Sequence, residues 1–172
     1  MAATLTARPR NAAGMMREAH LQKACCELVA DVARISGKVQ LKVAGASMAP
    51  TLWPGDLVFV RHCDPAQLHP NAVIVFRQEQ RLIIHRFMHW AGQSVIARGD
   101  ARPCFDDPVS VDDIVGEVES VVRDGRTVST RLSLWNSMIA ALMRRSEWWA
   151  RFYMRLRSKI RSVGFAEAIL GA

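Results

Sequence analysis

The chain has 172 residues, of which 50% are hydrophobic and 23% are charged, a composition ordinary for a globular protein about one domain in size. No run of about 18 or more apolar residues occurs, which excludes a polytopic membrane protein, and the composition also excludes a disordered or disulfide-dense chain. The formal net charge of +7 is carried by residues 123–172, which hold 10 Lys and Arg against 3 Asp and Glu. We expect this basic segment to be attracted to anionic surfaces.

The first part of the chain predicts an arm followed by one helix. Residues 1–13 show no periodicity and predict a flexible arm. Over residues 14–37 apolar side chains recur at three- and four-residue spacing, which predicts an amphipathic helix that ends at Gly37. The apolar residues are Met15, Leu21, Cys25, Leu28, Val29, Val32 and Ile35.

Over residues 38–125 the pattern changes to short runs rich in valine and isoleucine. These runs are separated by Gly, Pro, Asp and Asn, which is typical of strands joined by turns. They are QLKVAG, DLVFV, AVIVFR, RLIIHRF, SVIARGD and DIVGEVESVVR. The sequence therefore predicts one compact, mainly β domain.

Helical spacing returns over residues 131–163, where Trp135, Leu142, Trp149, Leu156 and Val163 lie seven residues apart. Arg144, Arg151, Arg155, Arg157 and Arg161 fall mainly on other faces, so we predict a basic amphipathic helix. Its apolar face could pack on the β domain, lie in the interface of an anionic membrane, or bind a partner protein. The sequence leaves these three alternatives open.

The stretch VAGASMAPTLWPGDLVFV, residues 43–60, contains the residues best suited to chemistry. Ser47 lies between small residues on a predicted turn, where an acyl group can approach closely and the serine's own N–H can stabilise an oxyanion. Asp56, in the following Pro-Gly-Asp turn, is predicted to cap the turn that presents Ser47. The predicted substrate and oxyanion residues around Ser47 are Gly45, Ala46, Met48 and Pro50.

A serine hydroxyl needs a base within hydrogen-bond reach. His85, 38 residues later, ends the apolar run LIIH, and a strand can aim an imidazole. Asp100, Asp106 and Asp107 follow in predicted loops, so a carboxylate is available to orient the second ring nitrogen. By themselves, a serine, a histidine and an aspartate in this order are common in small proteins and leave catalysis open.

Three segments taken together resemble the serine peptidases that unite type I signal peptidases with LexA-like self-cleaving repressors. GASMAPTLWPGDLV is similar to their nucleophile motif, and NAVIVFR followed by LIIHRF is similar to the segment that carries the general base. RGDARPCFDDPVSVDDIVGEV is similar to their Gly-Asp box and closing strand. The resemblance covers about residues 36–122 and implies a mainly β (α+β) fold of the signal peptidase/LexA-like type, with the predicted terminal helices added.

The residue at the base position indicates a branch of this clan. Bacterial signal peptidases and LexA-like proteins use lysine, but no lysine occurs between Lys42 and Lys159. Instead His85 is present, as in archaeal, endoplasmic-reticulum and spore-former signal peptidases. The resemblance thus implies Ser47 as nucleophile and His85 as base. One residue of the Asp106/Asp107 pair, with Asp107 favoured, would orient the histidine, and Asp100 is a further candidate.

Two departures from those peptidases matter. Gly45 stands where membrane signal peptidases often have a serine, so the oxyanion would depend on backbone N–H groups such as that of Ser47. No run in these residues resembles the transmembrane anchor of signal peptidases, so we expect a protein similar to the soluble bacterial members. We therefore expect a cytoplasmic protein, with attachment to the inner face of the membrane through residues 131–163 as an open alternative.

These observations predict a serine endopeptidase that acts on a peptide or protein substrate bound as an extended strand near LKVAG and LIIH. The alternative is a non-catalytic peptide-binding or membrane-surface accessory protein on the same scaffold. We expect no cofactor and no metal, because the cysteines form no CxxC and the histidines share no ligand spacing. No nucleic-acid partner is expected, because no recognised reading module is present.

Overall fold

The structure is a computed structural model that describes residues 12–130. The predicted arm over residues 1–13 lies almost entirely outside these residues. The predicted basic helix over residues 131–163 lies wholly outside them, so its three alternatives stay predictions.

The described chain begins with one helix, α1 (Ala12–Ser36), which confirms the predicted N-terminal helix. Gly37 follows with a φ of +75°, a left-handed conformation that glycine adopts without strain and that ends the helix. Ala33 is fully buried against the sheet. By contrast, Leu21, Leu28 and Ile35 are 60%, 63% and 84% exposed, so much of the apolar stripe faces solvent.

Within residues 12–130 eight strands form one antiparallel sheet, and six of them correspond to the six valine- and isoleucine-rich runs that predicted six strands. Along the sheet the order is β1-β2-β7-β3-β4-β5-β6, and β8 pairs with β7. This architecture confirms the predicted mainly β fold class. The strands are β1 (Lys38–Lys42), β2 (Leu57–Arg61), β3 (Val73–Gln78), β4 (Arg81–Ala91), β5 (Ser94–Arg98), β6 (Val109–Ser110), β7 (Ile114–Arg123) and β8 (Arg126–Val128).

Both faces of the sheet contribute to the core. Successive side chains of a strand point to opposite faces, and β3 shows the consequence: Val73 and Val75 enter one buried cluster, while Ile74 and Phe76 enter another. The first cluster also contains Met48, from the loop between β1 and β2. The segment that carries Ser47 is therefore anchored in the core.

Two strand edges remain open beside that loop. β4 pairs with β3 over Arg81–Arg86, but it pairs with β5 only from Arg86 onward. Among the described residues, the second edge of β4 thus has no strand partner before Arg86. β1 lies at one end of the sheet and pairs with β2 alone.

Candidate active site

A cleft of about 440 Å³ lies between the end of β1 and the first half of β4. Its walls come from residues 41–48 on one side and residues 81–85 on the other. Ser47 and His85 both line it. The two residues that the sequence singles out as nucleophile and base therefore lie in the same cavity.

Ser47, His85 and Asp106 form a continuous hydrogen-bonded series. The Oγ of Ser47 lies 2.9 Å from Nε2 of His85, and Nδ1 of His85 lies 2.5 Å from Oδ2 of Asp106. In the neutral imidazole tautomer with its proton on Nδ1, that N–H can donate to the Asp106 carboxylate, and Nε2 can accept from the serine hydroxyl. The side chains of His85 and Asp106 are 2% and 8% exposed, which shields both contacts from competing water.

The aspartate that contacts His85 is Asp106, whereas the sequence favoured Asp107. Asp106 contacts His85, whereas Asp107 is exposed and makes no such contact. The N–H of Asp106 donates to the carbonyl of Ala97 at 2.9 Å, which fixes this residue beside the end of β5. Asp100 is also excluded as the partner of His85, because its carboxylate is buried against Arg86.

The loop that carries Ser47 is held by short-range backbone hydrogen bonds. The N–H of Ala49 donates to the carbonyl of Ala46 at 3.0 Å, and the N–H of Leu52 donates to that of Met48 at 2.9 Å. Met48 is 2% exposed. These contacts close two successive turns on a buried side chain, so the position of the preceding serine is fixed.

The predicted substrate residues divide into two groups. Gly45 and Met48 line the cleft beside Ser47, whereas Ala46 and Pro50 do not, and Pro50 is buried beneath the turn. No acceptor among residues 12–130 takes the N–H of Ser47, so this group can donate to an oxygen in the cleft.

Gly99 permits the close approach of two chain segments at the site. A Cβ placed on Gly99 would lie 2.7 Å from the carbonyl oxygen of Ser47 and 3.0 Å from Nε2 of His85. Just beyond it, the N–H of Ala101 donates to the same Ser47 carbonyl at 2.9 Å. The absent side chain thus leaves room for the serine and the histidine to meet.

One protein-family model matches this chain. Residues 10–97 match the model of the Peptidase S24-like family, a little over half of the chain. The chain belongs to the Peptidase S24-like family. The matched region includes Ser47 and His85 and ends before Asp106. No curated protein matches the chain significantly.

Behind Ser47, the S24-like chain buries an ion pair that the sequence did not predict. Nε and Nη2 of Arg86 donate to the two carboxylate oxygens of Asp100, each at 2.8 Å, and the two side chains are 3% and 5% exposed. The hydroxyl of Thr51 donates to the same carboxylate at 2.5 Å. Together, the bidentate pair and the Thr51 hydrogen bond connect β4, directly after His85, to the turn that follows Ser47. The only sequence signal was an arginine next to the predicted base.

A second arginine of the S24-like chain holds the far end of the same turn. Nε and Nη2 of Arg123 donate to the carboxylate of Asp56 at 2.9 and 2.6 Å, and Nη2 also donates to the carbonyl of Thr51 at 2.9 Å. The Asp56 carboxylate accepts the N–H of Trp53 at 2.8 Å. This confirms that Asp56 caps the turn. The contribution of Arg123, 67 residues away, gave no signal in the sequence.

Two further observations bear on the predicted chemistry of the S24-like chain. Residues 12–130 contain no group of three or more His, Cys, Asp or Glu side chains arranged to hold a metal ion. Within the same range, no helix has the length and hydropathy that crossing a membrane requires.

Proposed function

We propose that this chain is a serine endopeptidase in which Ser47 is the nucleophile, His85 is the general base and Asp106 orients His85. The proposal depends mainly on one observation, the unbroken series of contacts from Ser47 Oγ through the imidazole to the Asp106 carboxylate, at 2.9 and 2.5 Å. A nucleophile, a base in contact with it and a buried group that orients the base are the parts that serine acyl transfer requires.

The residues would act in two half-reactions. Nε2 of His85 takes the proton of Ser47 as Oγ attacks the scissile carbonyl carbon, and the resulting oxyanion accepts from the Ser47 N–H. The tetrahedral intermediate then collapses: the C–N bond breaks, and the imidazolium gives its proton to the leaving amine. His85 next deprotonates a water molecule, which attacks the acyl ester. The ester C–O bond then breaks, the imidazolium returns its proton to Ser47 Oγ, and the carboxylic acid leaves. Asp106 stabilises the imidazolium in both steps.

The open strand edges supply a mode of substrate binding. The free edge of β4 over Arg81–His85 and the outer edge of β1, continued by residues 43–45, border the cleft. An extended peptide between them could pair with backbone N–H and C=O groups on either side, which is strand addition. This mode would place a peptide carbonyl beside Ser47, at the end of both edges.

The glycine at position 45 suggests a slow enzyme. Gly45 offers no side-chain donor to an oxyanion, so stabilisation would depend on backbone N–H groups. Loss of a single oxyanion donor costs about 10²–10³ in rate in a well-studied serine peptidase. We therefore expect detection of the nucleophile by covalent labelling to be more sensitive than detection of turnover.

A serine-reactive fluorophosphonate probe tests the proposal directly. Wild type should be labelled, with the adduct located at Ser47 by mass spectrometry, and Ser47→Ala and His85→Ala should lose labelling. Ser120→Ala, on β7, is the matched serine control and should label as wild type does. Equal labelling of wild type and Ser47→Ala would contradict the proposed nucleophile.

Two adjacent aspartates give a second matched pair. Asp106→Asn should slow labelling by up to about 10⁴-fold, the order found when a triad aspartate loses its charge. Asp107→Asn should leave labelling unchanged, because Asp107 does not contact His85. If no form is labelled and extended peptides still bind, the alternative of a non-catalytic peptide-binding protein on this scaffold is favoured.

A further inference from the structure

The Lys and Arg side chains that line the cleft beside Ser47 have no acidic side chain among them. Lys42, Arg81 and Arg102 line it, and no aspartate or glutamate does. All three side chains are exposed. Residues 12–130 as a whole hold 13 Lys and Arg against 14 Asp and Glu. The positive border is therefore a local feature and does not follow from the net charge of this domain.

These three cations have no carboxylate partner among the described residues. Five other arginines in the same range do have a carboxylate within 4.0 Å, namely Arg34, Arg61, Arg77, Arg86 and Arg123. An unpaired cation at the mouth of a cavity keeps its full charge available to a ligand. Three of them around one cavity favour an anionic occupant.

The cations are spread along the path proposed for the peptide. Arg102 is nearest to the reacting groups. A Cβ placed on Gly99 would lie 3.1 Å from Cγ of Arg102 and 3.0 Å from Nε2 of His85. Arg81 is four residues before His85 on β4, about 13 Å at roughly 3.3 Å per residue. Lys42 ends β1 on the opposite wall.

Apolar walls strengthen the effect of these charges. Leu41, Met48, Leu82 and Ile84 line the same cleft. Low-dielectric walls focus the field of charges at a cleft and raise the local concentration of a ligand of opposite sign. A peptide with acidic side chains would gain from this field, while a lysine-rich peptide would be repelled.

We propose that the substrates of this site are extended peptide segments that carry aspartate or glutamate on either side of the cleaved bond. The inference rests on the proposed function and adds the substrate class to it. One acidic side chain near the cut would meet Arg102, and others further along the strand would meet Arg81 and Lys42.

A binding measurement on the Ser47→Ala variant tests the charge preference without turnover. The probes are three fluorescein-labelled peptides of alternating alanine and valine, identical except for glutamate, glutamine or lysine at the same positions. An exposed ion pair is worth up to about 1 kcal/mol, about fivefold, so we expect three such pairs together to make the glutamate peptide bind about tenfold more tightly than the glutamine peptide. The lysine peptide should bind most weakly, and the differences should shrink at high salt.

Charge variants assign the preference to the cleft. In the Ser47→Ala background, Arg81→Gln should reduce the advantage of the glutamate peptide over the glutamine peptide about threefold, and Arg81→Glu should reduce it further. Arg126→Gln is the matched control, because Arg126 is an exposed arginine on β8 outside the cleft lining, and it should leave the advantage unchanged. An equal reduction in the Arg81 and Arg126 variants would overturn the assignment to the cleft.

Equal affinity for the glutamate and glutamine peptides, or no binding of any peptide, would overturn the inference.

A cleavage assay separates this inference from the proposed function. Wild type is incubated with the same three peptides and the products are read by mass spectrometry. Cleavage without charge preference would leave the peptidase proposal standing and remove the acidic substrate class. Tight, charge-selective binding without cleavage or fluorophosphonate labelling would leave the preference for acidic peptides standing and remove the peptidase proposal.

Discussion

Arginine has opposite environments on the two sides of the Ser47 turn. Behind the turn, Arg86 and Arg123 are paired bidentately with Asp100 and Asp56 and are largely buried. In front of it, Arg81 and Arg102 are exposed and have no carboxylate partner among the described residues. Arginine side chains thus hold the Ser47 turn in place on one side and present charge to the cleft on the other.

The difference follows from how solvent exposure changes the free-energy cost of leaving a charge unpaired. A buried ion pair contributes little net stability compared with apolar residues of the same shape, but loss of one partner is costly because the other charge stays buried. An exposed cation costs little to leave unpaired, and salt screens it. Burial therefore indicates which arginines hold the site together and which are free to contact a ligand.

The largest expected effect tests the buried side. Arg86→Met leaves the Asp100 carboxylate buried without its cation, and we expect the free energy of unfolding to fall by about 3–5 kcal/mol. Urea denaturation monitored by circular dichroism measures it. Arg81→Met, the exposed counterpart on the same strand, should change stability by no more than about 0.5 kcal/mol. Equal losses of unfolding free energy in the two variants would contradict the difference between the buried and the exposed arginines.

The next effect concerns the contact between the two segments at the site. Gly99→Ala brings a Cβ to 2.7 Å from the backbone oxygen of Ser47, so the chain must shift. We expect a loss of about 1–3 kcal/mol in stability and, because a shift of about 1 Å can cost 10²-fold in rate, a comparable fall in the rate of fluorophosphonate labelling. A Cβ on Gly45 meets nothing within 4 Å. Gly45→Ala should therefore leave the urea midpoint unchanged, and a loss matching that of Gly99→Ala would contradict this reading.

The smallest effect concerns an ion pair far from the cleft. Lys38 donates to the Glu119 carboxylate at 2.7 Å, and this hydrogen bond lowers the pKa of Glu119 below its ordinary value. A lowered folded-state pKa means that the pair stabilises the fold above the unfolded pKa and that this contribution is lost as pH falls through the folded pKa. In Lys38→Gln the pKa of Glu119 should rise toward its ordinary value, as measured by NMR titration. The change in stability should be slight, since both side chains are exposed. An unchanged pKa would show that the pair does not persist in solution.

The sheet could be predicted because its signals are local. Runs of valine and isoleucine bounded by turn residues predicted every strand of five or more residues, although the limits of β1 and β4 differ from the runs. β6 and β8 have only two and three residues, too few to produce an alternating pattern. The contact of Ser47 with His85 agrees with the arrangement that the motif resemblance implied.

The parts that could not be predicted depend on contacts between distant segments. Asp106 and Asp107 are neighbours in a loop, so a shift of one residue changes which carboxylate reaches His85. The hydrogen bond from the Asp106 N–H to the Ala97 carbonyl places Asp106 beside the histidine. Helical spacing shows that α1 has an apolar stripe but not which part of it the sheet covers. Arg123 and Asp56 pair although they are far apart in sequence, and no local sequence pattern predicts this contact.

The change of partner along β4 sets a boundary for any peptide in the cleft. β5 occupies the edge from Arg86 onward, immediately after the residue that contacts Ser47. A guest strand paired with β4 can therefore run along only five residues, Arg81–His85, roughly 16 Å at about 3.3 Å each, before it must turn away. Stable helices and hairpins cannot offer such a length of bare backbone. Under the proposed peptidase function, extended linkers and tails would therefore fit this edge better than folded segments of a target.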